Sequence, residues 1–254
     1  MNKNFMKEKL ANGEDVIGLF QNIINPNITE IMGILGFDFV IIDGEHTTFN
    51  PNLAEEHFRA AELRNISTVT RIGQNDQQVI QKFLDAGSQG VLMPLINNKN
   101  DALSVVDSVK YPPIGKRGLA SGRGSAYGIP QSVGEHVDSS NKETLVTIQI
   151  ETTEAMEKVE EISSIEEVDV LFFGPSDISS AFGIHGQIDN PKVKETITNL
   201  SKIAIANGKS CGTIARDMEA YKFYKNAGFQ WFCSGVTNML QDGMKNYLFS
   251  MKNS

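Results

Sequence analysis

Two carboxylates follow hydrophobic β-like runs in the second half of this chain. Glu151 follows the run at 145–150, and Asp177 follows the run at 168–174. If these runs are neighbouring parallel strands, both side chains emerge at the same end of one sheet. With no nearby Cys and no His in either segment, the pair suits a hard divalent cation, Mg²⁺ or Mn²⁺ first, with Co²⁺ or Zn²⁺ as further candidates. Glu151 and Asp177 are therefore the predicted metal ligands of an enzyme.

A proton carrier and a cation follow two earlier runs. His46 closes an Asp-Gly-Glu-His segment after the second run, and Arg71 ends the third. His46 can move a proton directly or through a water, and Asp43 or another acid such as Asp85 can orient it. Arg71 can bind a substrate carboxylate through two hydrogen bonds. A 2-oxo acid suits this set, because it chelates a metal that then acts as a Lewis acid toward its enolate.

Each of these residues also has a purely structural interpretation. A lone Asp after a strand more often caps the following helix, which applies to Asp43 and Asp177. Arg71 alone is equally typical of a structural ion pair, and His46 alone of a solvated surface. Glu151 is harder to explain structurally, because a carboxylate that enters a barrel mouth needs a partner. The functional interpretation is favoured because such residues recur at four predicted strand ends.

The elements that must position these residues alternate along the whole chain. Eight β-like runs are predicted at 14–20, 37–43, 67–72, 90–96, 145–150, 168–174, 210–215 and 229–235. Helical patterns follow them at about 27–35, 51–64, 76–86, 98–109, 153–164, 191–206, 217–227 and 237–250. Eight β/α units predict a single-domain (β/α)₈ barrel over 1–254, with its active site at the C-terminal ends of the strands. A doubly wound open sheet is the alternative.

Composition limits the classes of partner. The chain has 254 residues, 40% of them hydrophobic, and a net charge of −8. An acidic globular chain of this kind predicts neither a nucleic-acid nor an anionic-membrane surface. No apolar signal-peptide core and no 18-residue apolar span is found. Cys211 and Cys233 lie in apolar runs, which predicts reduced core thiols and a cytoplasmic protein.

Two segments leave alternatives open. Residues 111–144 form a long connection between the fourth helix and the fifth strand, which predicts either a functional loop or an oligomer interface. The closing helical pattern at 237–250 carries an apolar face. That face is compatible with exchange of the helix between subunits and equally with packing on its own barrel.

The segments that carry this chemistry resemble one family. From Gly18 to about Leu240 the chain resembles the HpcH/HpaI-type class II aldolases, which are metal-dependent pyruvate aldolases of the phosphoenolpyruvate-binding barrel superfamily. The matching segments are 37–46, Arg71, 84–87, 111–118, 149–151 and 173–178. The resemblance implies a (β/α)₈ barrel that exchanges its last helix between subunits and forms a homo-hexamer.

The resemblance also implies roles for individual residues. It places the metal on Glu151 and Asp177, the substrate carboxylate on Arg71, and the base on His46. Asp43 supports that base.

The resemblance also implies roles for four further residues. Asp85 is a second supporting acid, which in the family can come from a neighbouring subunit. Gln149 lies near the keto oxygen of the substrate, and backbone amides around Gly174 and Ser176 hold its carboxylate. Ser176 replaces an Ala common in the family, and this small change should leave those backbone contacts intact.

The implied reaction is reversible cleavage of a 4-hydroxy-2-oxo acid into an aldehyde and pyruvate, or oxaloacetate, through a metal-stabilised enolate. Relatives of the barrel suggest two alternatives. One is a citrate-synthase-like condensation of oxaloacetate with acetyl-CoA, as in siderophore biosynthesis, and the other is decarboxylation of oxaloacetate. A non-catalytic barrel that binds an acidic metabolite ranks last, because the acids and His46 are all present.

Overall fold

Eight parallel strands close into a barrel in chain order. The computed structural model describes residues 3–129 and 132–253. Its strands are β1 Val16–Gln21, β2 Phe39–Asp43, β3 Ser67–Arg71, β4 Gly90–Met93, β5 Leu145–Ile150, β6 Val170–Phe173, β7 Ser210–Ile214 and β8 Trp231–Gly235. Each strand pairs with the next, and β8 pairs with β1. The predicted (β/α)₈ barrel is confirmed and the open sheet is wrong.

Helices surround the barrel. They are α1 Phe5–Ala11, α2 Pro26–Leu35, α3 Pro51–Arg64, α4 Gln77–Ala86, α5 Lys99–Val109, α6 Val133–Glu143, α7 Thr153–Glu157, α8 Val159–Ser163, α9 Pro175–Ala181, α10 Pro191–Ala206, α11 Met218–Asn226 and α12 Val236–Lys252. Asn50 and Asn190 cap helices whose first residue is Pro, because their side chains accept backbone N–H groups of the first turn. Within the described ranges, no helix is long and apolar enough to span a membrane.

Element boundaries differ from the prediction where the chain bends toward the strand ends. The fourth strand ends at Met93, because Pro94 has no N–H and Leu95 takes a positive φ of 56°. The helix predicted at 153–164 is interrupted at Lys158 and becomes α7 and α8. Helices α1, α6 and α9 have no counterpart in the predicted pattern.

The core has two layers, one inside the barrel and one between the strands and the helices. Met6 and Leu10 of α1 pack into the inner layer, at the end opposite the C-terminal ends of the strands. Cys211 and Cys233 are buried free thiols. His57 and His136 have polar neighbours in the sequence, yet both are buried.

The long connection at 111–144 is structured in most of its length. It contains a short 3₁₀ segment at Arg123–Gly128 and the helix α6, whereas residues 130 and 131 lie outside the described ranges. Buried Lys110 anchors its end by donating to the carbonyl oxygens of Asn141 and Thr144, at 2.7 and 2.8 Å. The connection is therefore fixed to the barrel at its base.

Helix α12 contributes little to the core of its own chain. Among its residues only Val236 is buried. The exposed large apolar side chains are Met239, Leu240, Met244, Tyr247, Leu248, Phe249 and Met251. This face is far more apolar than a solvated helix requires.

Candidate active site

Two adjoining cavities lie at the C-terminal ends of the strands, with volumes of about 320 and 490 Å³. His46 and Asp177 line both of them. The predicted residues that line the first cavity also include Asp43, Arg71, Gln149, Gly174 and Ser176. Glu151 lines the second cavity together with Glu45. The barrel thus gathers all the predicted site residues except Asp85.

Asp43 and Arg71 form the central ion pair of the first cavity. Arg71 donates from Nε and Nη2 to the two oxygens of Asp43, at 2.9 and 2.7 Å. Burial opposes the charged form of Asp43. The hydrogen bonds and charge of Arg71, with the backbone amides of His46 and Glu45, outweigh that cost and hold the pKa of Asp43 below its usual value. Both groups are therefore charged in the folded protein at neutral pH.

Arg71 retains donors for a ligand. Its third nitrogen, Nη1, lies 3.3 Å from a carboxylate oxygen of Glu45, and its guanidinium carbon lies 4.7 Å from the ring centre of Phe20. A guanidinium carries five N–H groups, and these contacts use three of them. Two N–H groups on the terminal nitrogens remain available to a substrate carboxylate in the same cavity.

Asp43 also fixes the turn that carries His46. One of its oxygens accepts the backbone N–H groups of Glu45 and His46, both at 3.2 Å. The imidazole of His46 is exposed, and its Nε2 lies 3.5 Å from an oxygen of Glu45. Asp43 thus holds the backbone of His46, whereas the sequence suggested a contact with its ring. Glu45 is the acid beside the ring.

Gly44 is required by close approach within this turn. Its N–H donates to the carbonyl oxygen of Arg71 at 2.8 Å. A Cβ at Gly44 would lie 2.8 Å from that same oxygen, which is backbone and cannot rotate away. Glycine therefore lets β2 leave the sheet and turn toward the cavity without displacing β3.

Glu151 is a buried carboxylate without a cation. Its oxygens accept the backbone N–H of Leu95 at 2.8 Å and the side-chain amide of Gln149. Burial, reinforced by the negative charges of Asp177 and Glu45, raises the pKa of Glu151 to about 7. Among the described residues, no Lys, Arg or His forms an ion pair with Glu151. A buried acid beside another acid fits a bound divalent cation well.

The described residues contain no group of three or more His, Cys, Asp and Glu side chains that could hold a metal. A cation held by Glu151 and Asp177 would thus take its other ligands from water, substrate or uncharged groups. Gln149 is one neighbour of this kind, because its amide oxygen is buried and has no hydrogen-bond partner. This donor set suits Mg²⁺ or Mn²⁺ better than a metal that prefers nitrogen and sulfur.

Of the two amides expected to hold a carboxylate, one is already used. The N–H of Gly174 donates to the carbonyl oxygen of Ile150 at 3.2 Å. Ser176 lies in the first turn of α9, where backbone N–H groups have no intrahelical acceptor. Ser176 is therefore the better donor toward a substrate.

Asp85 lies away from the mouth of its own barrel. It is the penultimate residue of α4, and one of its oxygens accepts from Nη2 of Arg117 at 2.7 Å. Because the end of α4 leads into the start of β4, Asp85 lies at the opposite end of the barrel. Asp85 therefore does not line the mouth of its own barrel.

Several polar residues that line the cavities received no role from sequence reasoning. They include Glu45, Asn22, Arg216, Ser234 and Asn238. Glu45 stands inside the Asp-Gly-Glu-His segment, so the signal for it was present. The other four lie at or just beyond the ends of β1, β7 and β8, where position alone could have found them.

Comparisons with known proteins identify the family of the chain. A family profile described as HpcH/HpaI aldolase/citrate lyase matches residues 16–241. Hydroxypyruvate/pyruvate aldolase of Sagittula stellata is 33% identical over 234 residues, which cover 90% of each chain. The 5-keto-4-deoxy-D-glucarate aldolase of Citrobacter koseri is 34% identical over 218 residues, 84% of this chain and 82% of the relative.

The same fold is found in a solved structure. The structure of citrate synthase SbnG superposes with a TM-score of 0.89 and 25% identity, over 98% of this chain and 97% of the other. The family profile covers most of the chain, and each of the two aldolases is more than 30% identical to the chain. The chain belongs to the HpcH/HpaI aldolase/citrate lyase family and is a carbon–carbon lyase of the aldolase type.

Proposed function

We propose that this enzyme is a metal-dependent aldolase that cleaves or forms a 4-hydroxy-2-oxo acid, with pyruvate or oxaloacetate as the 2-oxo acid and an aldehyde as the second product. The observation that carries the proposal is the buried Glu151 carboxylate, which has Asp177 beside it and no cationic partner in the described chain. Relatives described as aldolases of hydroxypyruvate, pyruvate and a keto-deoxy sugar acid support the substrate class.

Glu151 and Asp177 would hold the divalent cation, Mg²⁺ or Mn²⁺. When bound, the metal supplies Lewis-acid stabilisation of the negative charge that develops on the keto oxygen. Gln149, whose amide oxygen is buried without a partner, would orient that end of the substrate. Arg71, with the backbone amide of Ser176, would bind the substrate carboxylate through charge-assisted hydrogen bonds.

His46 would move the proton, directly or through a water. In the cleavage direction the 4-hydroxyl proton passes to His46, the C3–C4 bond breaks, and its electron pair forms the enolate. Protonation at C3 then gives the 2-oxo acid. Glu45 lies next to the imidazole and Asp43 holds the turn below it. These contacts support an oriented and exposed base.

We also propose a homo-hexamer in which α12 is exchanged between subunits. The apolar and exposed face of α12 supports this assembly. In such an assembly Asp85 would serve the site of a neighbouring subunit, which agrees with its distance from its own barrel mouth. Cys211 and Cys233 are unpaired thiols, which supports a cytoplasmic location.

The test is an assay of metal-stripped protein with Mg²⁺ or Mn²⁺ added back. Pyruvate is offered with a panel of aldehydes, and the aldol product is measured. Glu151→Gln and Asp177→Asn should each lose metal-dependent turnover and weaken Mn²⁺ binding by at least about 100-fold. Glu157→Gln, an exposed acid on α7, is the matched control. Turnover that survives either substitution would contradict the metal assignment.

The second candidate is a condensing enzyme of the citrate-synthase type. The observation that favours it is the likeness to citrate synthase SbnG over nearly the whole chain. It predicts that oxaloacetate and acetyl-CoA release free thiol and give citrate, whereas an aldolase releases none. Pyruvate formed from oxaloacetate without acetyl-CoA would indicate decarboxylation. Measuring free thiol, citrate and pyruvate from oxaloacetate, in the presence and in the absence of acetyl-CoA, separates the three reactions.

A further inference from the structure

The proposed donor machinery occupies only one side of the barrel mouth. His46, Arg71, Glu151 and Asp177 follow strands β2, β3, β5 and β6. The other side of the 320 Å³ cavity is formed where β7, β8 and β1 end. Its polar side chains are Arg216, Ser234, Asn238 and Asn22, and the proposed reaction assigns them no role.

Arg216 faces Arg71 across this cavity. It follows β7, and β7 lies four strands from β3 in a closed ring of eight strands, which is the opposite side of the barrel. Its backbone is anchored on both sides. Ala215 donates to the carbonyl oxygen of Cys233 at 2.8 Å, and Asp217 caps α11 by accepting the N–H of Ala220 at 2.8 Å. The side chain therefore starts from a fixed position.

In the described part of the chain, the guanidinium of Arg216 forms no ion pair and no side-chain hydrogen bond, although the protein has a net charge of −8. Arg71, the other arginine of the cavity, contacts two acids. A cation at the mouth that no protein acid neutralises is available to an anionic ligand.

Ser234 is the second observation that points to a ligand. It is only 7% exposed, it lines the same cavity, and its hydroxyl has no hydrogen-bond partner. An unpartnered buried hydroxyl costs free energy unless a ligand or water satisfies it. Asn238 lines the cavity near the same strand end, at the start of α12. These side chains offer uncharged hydrogen-bonding groups beside one positive charge.

We propose that Arg216, Ser234 and Asn238 form the acceptor subsite, and that it selects aldehydes carrying a carboxylate. Arg216 binds the carboxylate of the acceptor, while Ser234 and Asn238 bind its other oxygen atoms. Arg216 is then a specificity-determining residue. This inference rests on the proposed aldolase function and names its second substrate by class. The competing interpretation is that Arg216 is a solvated surface cation with no ligand.

The test compares two aldehydes of equal carbon number, one anionic and one neutral. With pyruvate and Mg²⁺, kcat/KM is measured for glyoxylate and for glycolaldehyde. The wild-type enzyme should favour glyoxylate, and Arg216→Gln should lower the glyoxylate-to-glycolaldehyde ratio by about 10- to 100-fold, the loss typical of a charge-assisted hydrogen bond. Arg216→Lys should retain part of the preference, because it keeps the charge and loses the planar fork.

Lys222→Gln is the matched control, because it removes one exposed positive charge from α11, the helix that follows Arg216. Its ratio should equal that of the wild type. A ratio that Arg216→Gln leaves within about twofold of the wild-type value, an equal loss on both aldehydes, or a similar fall in the Lys222→Gln variant would overturn the subsite. Failure of the wild-type enzyme to consume glyoxylate would overturn it as well.

A separate measurement distinguishes failure of the subsite proposal from failure of the proposed aldolase function. Metal-dependent exchange of the pyruvate methyl protons with solvent deuterium reports enolate formation without an acceptor. If the wild-type protein exchanges these protons and the ratio is unaffected by Arg216→Gln, only the subsite is wrong. If the wild-type protein does not exchange these protons, both the aldolase proposal and the subsite proposal are wrong.

Discussion

Asp43 and Arg71 are register partners in the β2–β3 pair, and their side chains join in a two-point hydrogen bond of 2.9 and 2.7 Å. The pair is nearly buried, so each charge depends on the other. The same Asp43 accepts the backbone amides of the turn that carries His46. The Asp43 carboxylate therefore positions both the Arg71 guanidinium and His46, the proposed base.

The stability that Asp43 contributes should depend on pH. Its pKa is lower in the folded protein than the value of about 3.9 expected in the unfolded chain. The contribution is therefore fully present above the unfolded pKa and is lost as the pH falls through the folded pKa. Asp43→Asn should lower the free energy of unfolding by about 2 kcal/mol at pH 7, and this difference should narrow below about pH 4.

Urea unfolding at pH 7, 5, 4 and 3.5 measures that difference. Asp107→Asn is the control, because Asp107 pairs with Lys116 at an exposed site, where an ion pair contributes little. A difference for Asp43→Asn that stays constant down to pH 3.5 would show that its charge does not stabilise the fold.

Gly44→Ala should impair catalysis. The new Cβ would press on the carbonyl oxygen of Arg71, so the turn that carries His46 must shift. A displacement on the order of 1 Å in a catalytic group costs about 100-fold in rate, and we expect kcat/KM to fall by about 10- to 100-fold. Gly134→Ala is the control, because a Cβ on Gly134 meets no atom within 4 Å. Equal activity of the two variants would argue against a role for the turn.

Charged substitutions on α12 should prevent assembly without unfolding the barrel. Met244 and Leu248 are 66% and 52% exposed on this helix, so glutamates there should perturb their own barrel little. The double variant Met244→Glu, Leu248→Glu should sediment as a smaller species with an unchanged circular dichroism spectrum. Lys245→Glu, on the same helix, is the control for charge. An unchanged sedimentation coefficient for the double variant would contradict helix exchange.

The architecture was predictable because strand-like and helix-like patterns alternate eight times along the chain. Strands buried on both faces form continuous apolar runs, and helices between them begin with cap residues such as Asn50 and Asn190. The carboxyl ends of parallel strands lie at the same edge of the sheet, so residues that follow such runs lie near one another there. That reasoning identifies His46, Arg71, Glu151 and Asp177 from the order of residues alone.

Contacts between side chains were not predictable in the same way. Whether Asp43 holds a ring, a backbone amide or a guanidinium depends on distances that spacing does not encode. Asp85 ends far from its own cavity because α4 runs opposite to the strands. His57 and His136 have polar neighbours in the sequence, yet each lies on the inner face of its helix and is buried. Arg216 belongs to no motif, and only closure of the barrel brings it to the cavity.

The strand order also bears on how this enzyme can diverge. The hydrogen bonds that organise the donor side join Asp43 to Arg71, and Glu151 to Leu95 and Gln149, all from β2 to β5 and the turns that follow them. None of them includes a residue that follows β7, β8 or β1. Mutations at Arg216 or Asn238 therefore leave those bonds intact. Selection or directed evolution can explore new aldehydes on one half of the ring while the enolate chemistry on the other half is inherited unaltered.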